Sequence, residues 1–101
     1  MVYYVAHKYG GDFENLVRAK KIMHELQTND LDNTYISPLC AFSHLRYSEL
    51  GFDEEMNLCI DLLSICDALI VASDQSKGVK KEIEFAKLVG MEVIYLEDRF
   101  R

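Results

Sequence analysis

Among the side chains of this sequence, the Glu82 carboxylate has the neighbouring residues that most strongly indicate a chemical role. A short apolar run, Ala68 to Ala72, and a polar turn are followed by a segment with helical periodicity that Gly90 ends. On a helical wheel of about 100° per residue, Glu82 falls in the same arc as the apolar residues Val79, Ile83, Ala86 and Val89. A carboxylate on a face that packs against a sheet is costly unless it is paired, protonated or turned toward a cavity. Glu82 is therefore the first functional candidate; the alternative is a glutamate at the margin of the arc that reaches water.

A carboxylate in this position can act as a nucleophile on an anomeric carbon, forming a glycosyl ester that water or another acceptor then opens. Glu82 lies within about two turns of the helix start, where backbone N–H groups and the helix dipole favour an anion. Ser76 and the amides near Gly78 could hold a phosphate or sugar oxygen at that helix start. The same chemistry needs a group that protonates or stabilises the departing base.

Other chemistries lack their sequence patterns. Cys40 and His44 have the i,i+4 spacing of a metal-ligand pair, but two such residues do not make a zinc site, so no metal is expected. Neither the GxGxxG nor the GxxxxGK[ST] pattern occurs, and no cofactor is expected.

The elements that must position Glu82 form a regular alternation. Apolar, β-rich runs predict strands at 2–6, 34–37, 68–72 and 92–96. Helices are predicted at 13–27, where Asp12 is the N-cap, at 53–66, where Asp53 is the N-cap, and in the segment of Glu82. This order predicts one α/β domain over residues 1–101: a flavodoxin-like, three-layer fold with a parallel four-stranded sheet of order 2-1-3-4.

In that strand order the chain reverses direction between the first and third strands, and ligands of such sheets bind beyond the carboxyl ends of the strands at this switch. The crevice would be bounded by the loops HKYGGD at 7–12 and SDQSK at 73–77. Topology is expected to bring together Tyr3, His7, Tyr9, Ser76 and Glu82. The connection 39–52, which carries Phe42, His44 and Tyr47, is either a lid or binding loop or a short irregular helix.

Composition limits the classes of partner. The net charge of −6 and the pI near 4.9 argue against a protein that grips polymeric nucleic acid, whereas a single nucleotide remains compatible. No apolar run is long enough to span a membrane, and nothing suggests export. Three cysteines, an odd number in apolar surroundings, favour reduced thiols in a cytoplasmic protein.

The helix predicted at 53–66 is apolar around most of its circumference. Asn57, Asp61 and Ser64 form only a thin polar stripe. A helix of this kind on a small protein usually contacts both the sheet and a second partner. We therefore expect a homodimer through this helix.

Three stretches of the sequence resemble a known family: VYYVAHKYGGD, LLSICDALIV and SKGVKKEIEFAKLVGMEV. They are spread along the domain between residues 2 and 93. The pattern S-x-G-x-x-x-E-x-x-x-A, met by Ser76, Gly78, Glu82 and Ala86, is the most specific. On these residues the chain resembles the nucleoside 2-deoxyribosyltransferase-like superfamily, in particular its small bacterial and phage members.

The resemblance implies a role for each matching residue. Glu82 would be the nucleophile that attacks C1′ of a deoxyribose, and Tyr3 would orient it. Ser76 and Gly78 would line the sugar or 5′-phosphate end. Gly10 and Gly11 match the first loop of the nucleotide-hydrolysing branch, and His7 and Tyr9 complete the expected ligand shell.

The chain departs from the family pattern at two positions. The branch that cleaves nucleoside monophosphates has an arginine where this chain has Tyr9. The aspartate expected eight residues before Asp67 is Cys59 here, and Asp61, a possible substitute acid, lies roughly 200° away around the helix. These features leave three hypotheses: cleavage or transfer at the N-glycosidic bond of a nucleoside or nucleoside monophosphate, a non-catalytic nucleotide-binding or sensing domain, and a structural dimerisation domain.

Overall fold

The computed structural model describes residues 1–45 and 49–96. In chain order the elements are β1 (Val2–Ala6), α1 (Phe13–Thr28), β2 (Thr34–Ile36), α2 (Pro38–Ala41), α3 (Phe52–Ser64), β3 (Ala68–Val71), α4 (Lys77–Leu88) and β4 (Glu92–Tyr95). The connection predicted at 39–52 begins with the short helix α2, and Tyr47 lies outside the described residues. Within the described ranges, none of the helices has both the length and the apolar character needed to cross a bilayer.

The sheet has four parallel strands in the order β2-β1-β3-β4, which confirms the predicted fold class and strand order. β1 lies between β2 and β3, with Tyr3 opposite Tyr35 and Val5 opposite Ile70. β3 is buried along its whole length because helices cover both faces of the sheet. The chain reverses direction between β1 and β3, so the expected crevice lies where these two strands end.

The two faces of the sheet build separate apolar cores, because neighbouring residues of a strand point to opposite sides. Tyr4 and Ala6 of β1 pack with residues of α3 and α4, including Leu63 and Ile83. Tyr3 and Val5 lie on the other side, in a core that includes Leu26 of α1. Side chains that function with α4 must therefore come from the Tyr4 side of β1.

Helix ends follow the predicted signals in two of three cases. The Asp12 side chain accepts a hydrogen bond from the backbone N–H of Glu14 at 2.9 Å, as an N-cap does. Gly90 follows α4 with a φ of 75°, a left-handed conformation that favours glycine. The predicted cap at Asp53 is wrong: α3 begins at Phe52 after Gly51, whose N–H donates to the Glu54 carboxylate at 3.2 Å.

Candidate functional site

A cleft of about 240 Å³ opens at the carboxyl ends of β1 and β3. Six of the sequence-predicted site residues line it: His7, Tyr9, Gly10, Ser76, Gly78 and Glu82. The crevice predicted from strand order thus exists as a cavity that contains these six residues. Tyr3 and Asp61 do not line this cleft.

Glu82 is held by Tyr4, the residue next to the predicted partner. The hydroxyl of Tyr4 donates a hydrogen bond to Oε2 of Glu82, and both side chains are buried. Tyr3 instead stacks on Tyr35, with ring centroids 5.2 Å apart, and its hydroxyl contacts the Met1 sulfur at 3.7 Å. The prediction that Tyr3 orients Glu82 is therefore wrong, because Tyr3 points to the α1 side of the sheet and α4 packs on the other side.

Burial sets the protonation of Glu82. The side chain is only 5% exposed, and this desolvation raises the pKa of Glu82 to about 7. The hydrogen bond from Tyr4 opposes the rise, and the nearby charge of Glu55 adds to it. Burial, followed by the charge of Glu82, raises the pKa of Tyr4 well above 10, so that its phenol remains a donor. At neutral pH both the ionised and the neutral form of Glu82 are populated.

Helix α3 contributes Glu55 to the cleft, a residue that the sequence reasoning missed. Its side chain is half-buried, and burial raises the pKa of Glu55. Glu55 lies four residues before Cys59 and therefore on the same side of the helix, which is the sequence signal that could have revealed it. The site thus holds two carboxyl groups, one from α3 and one from α4.

Cys59 occupies the position where the family resemblance expects an aspartate, and its thiol lies near Tyr4 and Glu82. Burial first, and then the charge of Glu82, raise the pKa of Cys59 to about 12. The thiol therefore stays protonated and is a poor proton donor at neutral pH.

Asp61, considered as a substitute for the missing acid, is exposed on α3. It lies two residues after Cys59, a rotation of roughly 200° around the helix. The hypothesis that Asp61 acts in the cleft is wrong for this geometric reason.

The start of α4 supplies the polar rim of the cleft. Ser76 is the N-cap and accepts a hydrogen bond from the Val79 N–H at 3.3 Å. The Lys77 ammonium lies 4.2 Å from the centre of the Phe52 ring, and both residues line the cleft. First-turn amides and a lysine favour an anionic or oxygen-rich group here.

Gly78 allows α3 and α4 to approach each other at the site. A Cβ at this position would meet the Met56 sulfur at 3.3 Å, which is tighter than an ordinary contact. The small residue at this point of the family-like pattern therefore has a packing role in addition to any contact with a ligand.

The loop after β1 forms the opposite wall of the cleft. His7 is buried, its Nδ1 lies 2.7 Å from the Lys8 carbonyl oxygen, and burial lowers the pKa of the ring. Gly10 and Gly11 have φ values of 60° and 77°, which only glycine adopts without strain. The Asn15 side chain fixes the turn by donating to the Tyr9 carbonyl at 3.0 Å.

A smaller, mostly apolar cavity of about 50 Å³ adjoins the cleft. The two share Tyr9, Pro38, Leu39, Glu55 and Cys59 as walls. Phe42 is a further wall of the cavity. Such walls suit a flat, apolar ring rather than a charged group. Within residues 1–45 and 49–96, no three His, Cys, Asp or Glu side chains are placed to share a metal ion.

Tyr4→Phe is expected to raise the pKa of Glu82 above about 7, because the lost hydrogen bond is the interaction that lowers it. It is also expected to cost about 1–3 kcal/mol of stability, because a buried carboxylate loses its donor. Carbon-13 NMR of the glutamate carboxyls across a pH series, with urea denaturation, measures both effects. Tyr3→Phe is the matched control and should change neither quantity; equal effects from the two variants would contradict the assignment of Tyr4.

Comparison with known proteins supports the fold. No protein-family model matches the sequence, and no curated protein matches it. A crystal structure described as a conserved protein from Enterococcus faecalis V583 is similar, with a TM-score of 0.76 and 17% sequence identity. The similarity covers 94% of this chain and 62% of the other, so this chain spans less than two thirds of that protein. At this identity the likeness shows that the two chains share an α/β fold.

Proposed function

We propose that this protein cleaves or transfers the N-glycosidic bond of a deoxynucleoside or nucleoside monophosphate, with Glu82 as the nucleophile. The observation that carries the proposal is the buried Glu82 carboxylate, held by Tyr4 in a cleft at the switch between β1 and β3. A buried acid with a perturbed pKa in a cleft is a common mark of a functional site. The deoxyribose specificity rests on the family resemblance.

The protonation of Glu82 suits a nucleophile that works at neutral pH. Since its pKa is raised to about 7, a large fraction of the carboxylate is ionised at pH 7–8. Tyr4 donates to Oε2, which leaves Oε1 as the oxygen available to attack. The phenol therefore orients the carboxylate without taking part in the bond changes.

The proposed reaction is a double displacement. Oε1 of Glu82 bonds to C1′ as the bond from C1′ to the base nitrogen breaks, and the electron pair leaves with the base. Water then attacks C1′, which releases the sugar and regenerates the carboxylate; a second base in place of water makes the reaction a transfer.

The other end of the substrate would lie against the start of α4. Ser76, Lys77 and the first-turn amides supply donors and positive charge for a sugar hydroxyl or a 5′-phosphate. This supports nucleosides and mononucleotides as the substrate class, and a volume of about 240 Å³ favours one such unit over a polymer.

Cys59 favours a second candidate function, a non-catalytic domain that binds or senses nucleotides. A thiol with a pKa raised to about 12 cannot replace the carboxylic acid that the resemblance places at this position. A chain that kept the cleft and lost the acid would bind the same ligands without turnover.

A panel of deoxynucleosides, deoxynucleoside monophosphates and NAD, analysed by chromatography for free base, separates the two functions. Base release supports the enzyme. A ligand-induced rise in melting temperature without base release supports the binding domain. If neither occurs with any compound, both proposals fail and the structural dimerisation domain is left.

We also propose a homodimer through α3. Ile65, at the end of this helix, is 73% exposed, and Leu58 is 36% exposed. Apolar side chains at these positions gain from contact with a second copy. Light scattering at micromolar concentration should give twice the mass of the chain, and a monomeric mass would contradict the dimer.

A further inference from the structure

Glu55 lies where the cleft of Glu82 meets the apolar cavity. It lines both spaces, whereas Glu82 lines only the cleft. A sugar bound against Glu82 with its base in the adjoining cavity would therefore pass Glu55 at the bond between them. At this bond a nucleoside changes from an oxygen-rich sugar to a flat aromatic base. In the same direction, the cleft with its polar rim gives way to the mostly apolar cavity.

We propose that Glu55 is the proton donor to the departing base, taking the part that Cys59 cannot take. This assignment deepens the function proposed above and rests on it. The ligand of the apolar cavity would be the nitrogen heterocycle of the substrate.

The proton movements balance in both steps. As Oε1 of Glu82 bonds to C1′, the C1′–N bond breaks and its electron pair takes the proton from the Glu55 carboxyl, so that the base leaves neutral. In the second step the Glu55 carboxylate accepts a proton from the attacking water. The ester of Glu82 opens, and both carboxyl groups return to their starting forms.

The surroundings of the two acids favour this division of roles. The Tyr4 hydroxyl donates to Glu82, which stabilises the ionised form of Glu82, the form that attacks C1′. Among the residues that the structure describes, the other titratable groups that face the pair are His7 and Tyr9 from the first loop, Cys59 from α3 and Lys77 from α4. His7 and Cys59 are neutral near pH 7, because burial lowers the pKa of the first and raises that of the second. The first step needs Glu82 ionised and Glu55 protonated, so the active form is the pair that carries one proton, and the rate should pass through a maximum with pH.

The test compares two leaving groups on one sugar. One substrate is the deoxynucleoside or deoxynucleotide that the panel shows to be cleaved fastest, and the other carries 4-nitrophenolate, which departs as a stable anion without a proton. Glu55→Gln should slow the first substrate by about 10²–10⁴-fold, the usual contribution of a general acid. It should leave the first-turnover release of 4-nitrophenolate within about tenfold of wild type, because that step needs no proton. Glu84→Gln, a change of an exposed acid on α4, is the control and should leave both rates unchanged.

A second readout uses the wild-type protein alone, so the test does not depend on the folding of a variant. The rate with the natural base should fall at high pH as Glu55 loses its proton, and the rate with 4-nitrophenolate should not. Equal losses in the first-turnover release of the two leaving groups in Glu55→Gln, or identical pH profiles of that release in the wild type, would overturn the role of Glu55 while the proposed function stands. No base release by the wild type from any compound would overturn the proposed function and this assignment with it.

Discussion

Glu82→Gln is expected to abolish base release, with a loss of roughly 10³-fold or more in kcat, because a neutral amide cannot attack C1′. Glutamine has nearly the same shape as glutamate, and its oxygen can still accept the hydrogen bond from Tyr4. The cleft should therefore persist, and ligands should still raise the melting temperature of the variant. Loss of turnover with retained binding separates a chemical role from a structural one.

The covalent step gives this prediction an independent readout. Wild-type protein quenched in acid during turnover should gain the mass of one sugar, and Glu82→Gln should not. Glu84→Gln is the matched control, since it lies on the same helix with an exposed side chain. Unchanged base release in Glu82→Gln would remove Glu82 as the nucleophile, and with it the proposed mechanism.

The fold could be predicted because its signals are local and repeated. Apolar runs such as Val2–Ala6 alternate with helical patterns, and that alternation leaves few parallel arrangements. The cleft followed from strand order, since ligand sites in such sheets lie where the order reverses. Most of the six candidate residues that line the cleft lie on the loops that follow β1 and β3. These strands are neighbours in the sheet, so their loops lie side by side.

The choice between Tyr3 and Tyr4 could not be made in this way. Both are tyrosines on one buried strand, and both faces of that strand are covered by helices, so hydrophobic pattern does not separate the two sides. Neighbouring residues of a strand point to opposite faces of the sheet, so an error of one residue in the alignment of β1 places the wrong tyrosine beside α4. Only the three-dimensional packing of α4 against the Tyr4 side identifies the donor to Glu82.

Glu55 was missed because its place near the start of the predicted helix gave no reason to single it out. With Asp53 as the expected cap, Glu55 would stand at the very start of the helix, a position where a glutamate is ordinarily solvated and interacts with the helix dipole. The hydrogen bond from the Gly51 N–H to Glu54 starts the helix at Phe52 instead. With either helix start Glu55 lies one turn before Cys59, and the packing of α3 beside the cleft is what brings both side chains to it.

Removing the buried carboxylate is also expected to make stability less dependent on pH. The pKa of Glu82 is about 7 in the folded chain against an ordinary value of 4.5, a difference that corresponds to about 3 kcal/mol. Below pH 4.5 the carboxyl is protonated in both states and costs nothing. As the pH rises toward 7, the unfolded chain loses the proton first, and the folded state of the wild type is progressively destabilised.

Glu82→Gln does not titrate, so its stability relative to wild type should rise by about 3 kcal/mol between pH 4.5 and pH 8. Urea denaturation at a series of pH values measures this difference. His7, whose pKa is lowered by burial, acts in the opposite direction in both proteins, and the comparison removes its contribution. A difference that does not change with pH would mean that Glu82 is ionised at no cost in the folded chain.

The gain in stability and the loss of base release expected for Glu82→Gln have one physical origin. The burial that destabilises the folded state at neutral pH also keeps water away from the carboxylate and holds it against Tyr4. A residue that lowers stability and contributes only to packing would have no reason to be a glutamate, because leucine would fill the space without the electrostatic cost. Gain of stability together with loss of base release in Glu82→Gln is therefore the combined result that an active-site carboxylate requires.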